Sequence, residues 1–443
     1  MKITFIGAGS TVFVKNCIGD CLQSETITAG ELEIALYDID GDRLEESLLV
    51  VNALNKKYND NKATVKTYLG VDERREALCG ASFVINAIQV GGYEPCTVID
   101  FEIPKKYGLL QTIGDTVGIG GIMRALRTIP VMRDIARDME DVCPDAWLLN
   151  YTNPMCMITN FMQRFTKVKT VGLCHSVQVC VPRLLESLGI KEKYADGYIS
   201  EIAGINHMAW LLSLKDKSGR DIYPEIRELC AKKNANEKHT DMVRYEYVRR
   251  LGYYCTESSE HNAEYNAFFI KKNYPELIER YNIPLDEYPR RCVRQIAGWK
   301  EQKARLFGDG DIVHNRSREY CSYIIEAMIS GTPYSIGGNV LNTGLITNLP
   351  SEATVEVNCL VDASGIHPTF VGALPTQLAA MNATNVYSQL LAVEAAVSGD
   401  REKLYQAVMM DPHAAAELSL DEIVMMCDEL VEAHREAGFD CGV

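Results

Sequence analysis

Apolar and polar positions divide the chain into two rhythms. Residues 2–6 (Lys-Ile-Thr-Phe-Ile) are an apolar run that predicts a buried strand. Gly7-Ala8-Gly9-Ser10 predicts a tight turn, and helical spacing then runs to about Cys21. A second strand is predicted over 32–37, a polar helix over 42–58 and an apolar strand over 82–87, which ends in the Gly91-Gly92 loop. Residues 122–142 read as a helix broken or bent by Pro130, followed by strands at 146–150 and 170–174. Strands alternating with helices at these lengths predict an α/β fold, a Rossmann-like doubly wound parallel sheet over 1–195. Beyond Ile205 the alternation stops. Residues 215–290 are rich in charge and tyrosine, 354–361 read as a strand, Asp362-Ala363-Ser364-Gly365 as a hairpin turn, and 374–435 as long helices. Residues 196–443 are therefore expected to form a mixed α+β substrate and oligomerisation domain. No Ser/Gly-rich linker separates the halves.

Composition narrows the function classes. A chain of 443 residues has room for two to three domains at roughly 150 residues each. No apolar run approaches the ~18–20 residues of a membrane helix. The first residues lack the apolar stretch and cleavage site of a signal peptide, so a cytoplasmic address is expected. The 15 cysteines are odd in number, scattered and free of Cys-x-x-Cys pairs, which argues against a disulfide framework or a zinc ribbon. The net charge of −15 repels nucleic acid and anionic lipid. A small neutral substrate suits such a surface better than a polyanion.

Candidate chemistry starts at the N-terminus. A strand followed by Gly7-x-Gly9, Ser10 and a helix is a phosphate-binding turn: glycine lets the backbone approach a pyrophosphate at the helix N-terminus. Val12 stands where a third glycine is usual, which predicts a looser helix–strand contact. Asp38, with Asp40 nearby, ends the second strand and suits a ribose hydroxyl; its charge favours NAD over NADP. Further on, Cys174-His175 follows an apolar strand, and His207 lies in Gly204-Ile205-Asn206-His207. A buried thiol and a hydrogen-bonded core histidine are the ordinary roles of such residues. Asn150 to Pro154 is a polar cluster at a strand's carboxyl end, where an open α/β sheet binds ligands. Residues 257–265 pack many titratable groups together, and a solvated helix face is the ordinary reading of that run.

Together these residues resemble the family 4 glycoside hydrolases, NAD- and metal-dependent glycosidases, and most closely their α-galactosidase (melibiase) branch. The resemblance runs through Phe5 to Thr11, Val90 to Cys96, Gly121 to Pro130, Asn150 to Pro154, Gly172 to Gln178, Ala203 to Ala209, Thr256 to Tyr265 and Asn358 to Asp362. It implies a divalent metal, usually Mn²⁺, held by Cys174 and His207. Asn153 matches the sugar-binding asparagine, Tyr265 the catalytic base and Asp115 an acidic residue beside it; one of Arg290 and Arg291, with Arg291 preferred, matches a substrate-contacting arginine. Phospho-glycosidases of the family carry Cys-Asp or Cys-Asn where this chain has Cys174-His175, and an arginine near the position of Cys96. Cys96 cannot hold a phosphate dianion, so a non-phosphorylated α-glycoside is implied, and His175 takes the place of the leaving-group acid. The implied route oxidises C3 with NAD⁺, removes the C2 proton, eliminates the aglycone, adds water and returns the hydride. A homo-oligomer, dimer or tetramer, is expected. An α-glucosidase or α-galacturonidase of the same family, a malate/lactate-type NAD dehydrogenase and a catalytically silent NAD-binding sensor remain as alternatives.

Overall fold

The computed structural model describes residues 1–307 and 312–443. Among the described residues twelve strands form one sheet: β1 Lys2–Ile6, β2 Glu33–Asp38, β3 Thr64–Leu69, β4 Phe83–Asn86, β5 Trp147–Asn150, β6 Lys169–Leu173, β7 Tyr198–Ile205, β8 Met208–Asp216, β9 Tyr254–Cys255, β10 Tyr334–Leu341, β11 Thr354–Asp362 and β12 Gly365–Pro368. The order β3-β2-β1-β4-β5-β6 is parallel throughout, and its order reverses between β1 and β4. That is the doubly wound arrangement expected of residues 1–195, and the switch point opens a crevice at the strands' carboxyl ends. The sheet does not stop there. β10 pairs antiparallel with β6, and β11, β7, β8 and β9 continue the sheet in antiparallel sense.

Side chains alternate between two cores across the parallel strands. Ile3, Phe5, Ile34 and Leu36 enter one cluster; Ile6, Ala35 and Tyr37 enter the other. The helices α1 (Thr11–Leu22) and α2 (Gly41–Asn59) fill the first face. The second face is covered by helices from the far end of the chain, with Val393, Leu404, Met426 and Leu430 packed against Ile122, Met123 and Ile129. The two halves therefore share their cores. No described helix is long and apolar enough to cross a membrane.

The structure departs from the sequence reading in several places. The helix Gly118–Val142 runs unbroken through Pro130. Sixteen of its residues are buried, so packing on its flanks outweighs the backbone hydrogen bond that proline forfeits. Val12 points outward and is 40% exposed, whereas Thr11 and Val14 are buried. The looser contact expected from Val12 does not arise, because that position does not face the strands. β3, β7, β8, β9 and β10 were not foreseen; β3, with mostly exposed or half-buried residues, lacks the apolar run that marks β1 and β4.

Candidate active site

At the switch point, Gly7 takes φ +87°, and a Cβ there would lie 2.8 Å from the backbone of Ala87. Gly9 donates its N–H to Asp38 Oδ2 at 2.5 Å. Asp38 Oδ1 accepts from the N–H groups of Ile39 and Asp40 at 2.8 and 3.0 Å. Ser10 is the N-cap of α1, but its hydroxyl caps nothing, so the first-turn N–H groups stay open to an anion. Asp38 is half-buried at the end of β2 beside this turn. Asp40 differs: it caps α2 by accepting from Arg43 N at 3.1 Å.

Neighbouring strand ends carry a second group of residues. Asn153 follows β5, and Cys174 follows β6. His207 sits in the turn between β7 and β8, joined to Asn206 by a cis peptide. Asp115 and Thr116 precede the helix Gly118–Val142, and Tyr265 follows the short helix Ser259–Ala263. One hydrogen-bond chain connects three of these segments. Asn153 Nδ2 donates to Asp115 Oδ2 at 3.1 Å. Thr116 Oγ1 donates to Asp115 Oδ1 at 2.7 Å, which leaves its oxygen to accept from His207 Nδ1 at 3.0 Å. The ring is thereby oriented with Nδ1 as donor and Nε2 turned toward Cys174 and Glu257. The thiol of Cys174, the ring of His207 and the carboxylate of Glu257 each offer a ligand atom, all within 4.8 Å of one another. Ser176 Oγ lies 3.1 Å from Cys174 Sγ.

Buried charge is concentrated here. Burial opposes a charge on His207, but Cys174, by its charge and a hydrogen bond, together with Glu257 and Asp115, raises its pKa to about 10. Burial pushes the Glu257 pKa up, yet His261, His207 and His175 outweigh it and lower it to about 2. Asp115 is also held below the usual range; burial works against this, and His261, Arg124 and His207 prevail. The surroundings of His207 Nε2 thus favour a cation. Three acceptor-type groups facing one another, with the opposite ring nitrogen fixed by Thr116, fit a divalent metal. Asp115, His207 and His261 form a second close trio, but Thr116 already bridges its Asp115 and His207.

Tyr265 is 1% exposed, with its hydroxyl 3.5 Å from His207 Nδ1. Burial, and then the charges of Asp115 and Glu264, push its pKa well above 10, against a hydrogen bond with Thr116. Glu264 accepts the N–H groups of Thr112, Ile113 and Gly114 at 2.7, 3.2 and 2.8 Å, which clamps the loop carrying Asp115. Arg291 donates to Glu260 Oε1 at 2.7 Å, and Glu260 directly precedes His261. His175 lies at the rim, its side chain 48% exposed, with Nδ1 3.9 Å from Glu319.

Distant sequence positions therefore converge: Cys174, His207, Asp115, Asn153 and Tyr265 share one site, with His175 and Arg291 at its edge. The run 257–265 is no solvated face, since Ser259, His261, Asn262, Glu264 and Tyr265 are all buried. Tyr151, from the polar cluster 150–154, points elsewhere and accepts from Cys321 N at 3.1 Å. Thr116, Glu257 and Glu264 were not singled out from sequence. Glu257 lay within the titratable run, but Thr116 carried no signal. All 15 cysteines are free thiols.

Residues 2–190 match the family model described as Family 4 glycosyl hydrolase, and residues 202–414 match the Family 4 glycosyl hydrolase C-terminal domain. The chain is 59% identical over 433 residues to an α-galactosidase of Bacillus subtilis (strain 168), with 98% of each covered. Its fold resembles that of the lplD protein of Bacillus subtilis, with a TM-score of 0.86 at 25% identity over 97% of this chain and 99% of that one. It also resembles a 6-phospho-α-glucosidase from gut microorganisms, solved with NAD and Mn²⁺. There the TM-score is 0.78 at 20% identity, and 98% of each chain is covered.

Proposed function

The chain belongs to the family 4 glycosyl hydrolases, and from that premise we propose that it hydrolyses non-phosphorylated α-galactosides with NAD⁺ and a divalent metal, Mn²⁺ or a close substitute. The observation that carries the substrate class is the 59% identity, end to end, with an α-galactosidase. Residues 1–195 would hold the dinucleotide, at Gly7, Gly9, Ser10 and Asp38. Residues 196–443 would complete the sugar site and carry the contacts of a cytoplasmic dimer or tetramer.

When bound, NAD⁺ and the metal supply hydride acceptance at the sugar's C3, polarisation of the resulting ketone, and a positive charge that favours a phenolate nearby. The chain's residues do the rest. Cys174 and His207 hold the metal, with the His207 ring oriented through Thr116 and Asp115. The Asn153 amide, anchored on Asp115, is placed to donate to a sugar hydroxyl. Tyr265 takes the C2 proton. Its burial excludes water from the base and also makes ionisation its chief demand. Asp115 works against the phenolate by charge, so its role is to orient Thr116 and Asn153. Arg291, poised on Glu260, faces the substrate's outer hydroxyls, and His175 at the open rim meets the departing aglycone oxygen.

The decisive assay offers p-nitrophenyl α-galactoside, α-glucoside and α-galacturonide with NAD⁺ and Mn²⁺ under reducing conditions. Nitrophenol release from the galactoside without NADH accumulation is expected. Faster release from another glycoside would reassign the substrate, and bulk NADH would favour an ordinary dehydrogenase.

A further inference from the structure

Glu257 is a carboxylate with an unusual set of neighbours. Its backbone takes φ +64°, a left-handed conformation rare outside glycine and one that marks functional positions. Its side chain is only 18% exposed, yet among the described residues it makes no hydrogen bond. Its closest polar neighbours are the ring nitrogens His207 Nε2 at 3.8 Å and His261 Nδ1 at 3.7 Å, both beyond hydrogen-bonding reach. His261 Nδ1 is already 2.8 Å from Ser258 Oγ. A largely buried carboxylate left in this way loses its water without gaining donors, which is costly unless a cation replaces them.

We propose that Glu257 is the third protein ligand of the divalent metal, completing a Cys174–His207–Glu257 set. This rests on the reading of Cys174 and His207 as the metal's holders. With Nδ1 committed to Thr116, Nε2 faces Cys174 and Glu257, and the hydrogen bond it shares with Cys174 leaves the carboxylate without a donor. A divalent cation satisfies all three. Thiolate and carboxylate together neutralise its two charges, which a cysteine–histidine pair alone does not. The carboxylate oxygen also suits a hard ion such as Mn²⁺, which a sulfur–nitrogen pair favours less.

The test is a titration of Mn²⁺ alone into the whole chain under reducing conditions, with free ion counted by its six-line EPR signal. It compares wild type with Cys174→Ser, His207→Ala, Glu257→Gln and Glu257→His. Wild type should bind one tight ion, and Glu257→Gln should weaken it at least tenfold while thermal melting and NAD⁺ affinity stay near wild type. Glu257→His should shift preference from Mn²⁺ toward Ni²⁺ or Zn²⁺ by tenfold or more, a change that a purely structural glutamate would not produce. If Cys174→Ser and His207→Ala lose the ion while both Glu257 variants keep wild-type affinity and preference, Glu257 is no ligand and the two-residue reading stands. If all four variants bind Mn²⁺ as wild type does, the metal lies elsewhere and both readings fall. Should Glu257→Gln fail to fold, the selectivity of Glu257→His decides alone.

Discussion

Two regions face each other across the carboxyl ends of the parallel strands, and they are made of different material. The turn Gly7–Ser10 presents backbone: one glycine at positive φ, an uncapped helix N-terminus, and a single carboxylate, Asp38, that gathers three N–H groups. The region around His207 presents side chains from five separate segments, most of them buried and charged. A backbone site binds through many small, parallel contributions and should fail gradually. A site of interlocked buried charges has few substitutes for any member and should fail abruptly.

The largest effect belongs to Tyr265. Tyr265→Phe keeps the ring's packing and deletes the phenol, so kcat should fall by at least ~10²–10⁴, the range of a general base. NAD⁺ and Mn²⁺ affinity should stay within a few-fold. In D₂O, wild type should place deuterium at C2 of the released sugar, and Tyr265→Phe should not. Near-normal rates with continued C2 exchange would move the base to another residue, and His261, between Asp115 and Glu257, would be the next to test. Loss of NAD⁺ binding in this variant would break the contrast itself, since the two regions would then fail together.

The same contrast explains what could be read along the chain. The nucleotide turn is contiguous, and its strand, glycines and acidic strand end occupy a readable register. β1, α1, β2 and α2 accordingly lie within a residue or two of expectation. Cys174, His207 and Tyr265 were reachable only through resemblance, because no spacing relates residues on separate strands and loops. Thr116 shows the limit most clearly. An ordinary threonine in sequence, it bridges Asp115 and His207 only because the loop before Gly118 folds against the β7–β8 turn. Pro130 was misread for the converse reason: a local rule gave way to burial along a long helix.

A mid-sized effect separates Asp38 from its surroundings. Asp38→Ala should weaken NAD⁺ binding by about 1–3 kcal/mol, the scale of hydrogen bonds to a charged group. Part of that loss should come through the turn, since Asp38 also restrains Gly9 N–H. Calorimetric titration would measure it, and kcat at saturating NAD⁺ should stay within a few-fold of wild type. A collapse of kcat instead would mean that the two regions are mechanically coupled.

Glu264 sharpens the comparison from the other side. Burial raises its pKa to about 7, against the pull of the Thr112 and Gly114 N–H groups. The folded value lies above the unfolded one of about 4.3, so folding favours the protonated form. This contribution to stability is full below about pH 4 and is lost as pH rises through about 7. Glu264→Gln stays neutral throughout. Melting curves from pH 5 to 8 should therefore fall less steeply for the variant than for wild type. Parallel curves would mean that the carboxylate is ionised in both states and that the three N–H groups dominate.

The smallest effect is expected at Asp40, and it tests whether the nucleotide region has one acidic contact or two. Asp38 ends β2 and Asp40 lies two residues beyond it, so both could reach a ribose from sequence alone. The geometry divides them: Asp38 faces the glycine turn, while Asp40 is exposed and accepts from Arg43 N as the cap of α2. Removing a capping aspartate costs roughly 1 kcal/mol of stability. Asp40→Ala should thus lower the melting temperature by only about one degree in a chain of this length and leave NAD⁺ affinity unchanged. If affinity falls as far as it does in Asp38→Ala with no change in melting, the ribose contact belongs to Asp40. The effect of Asp38→Ala would then reflect only the loosened turn, so the two variants need to be measured side by side.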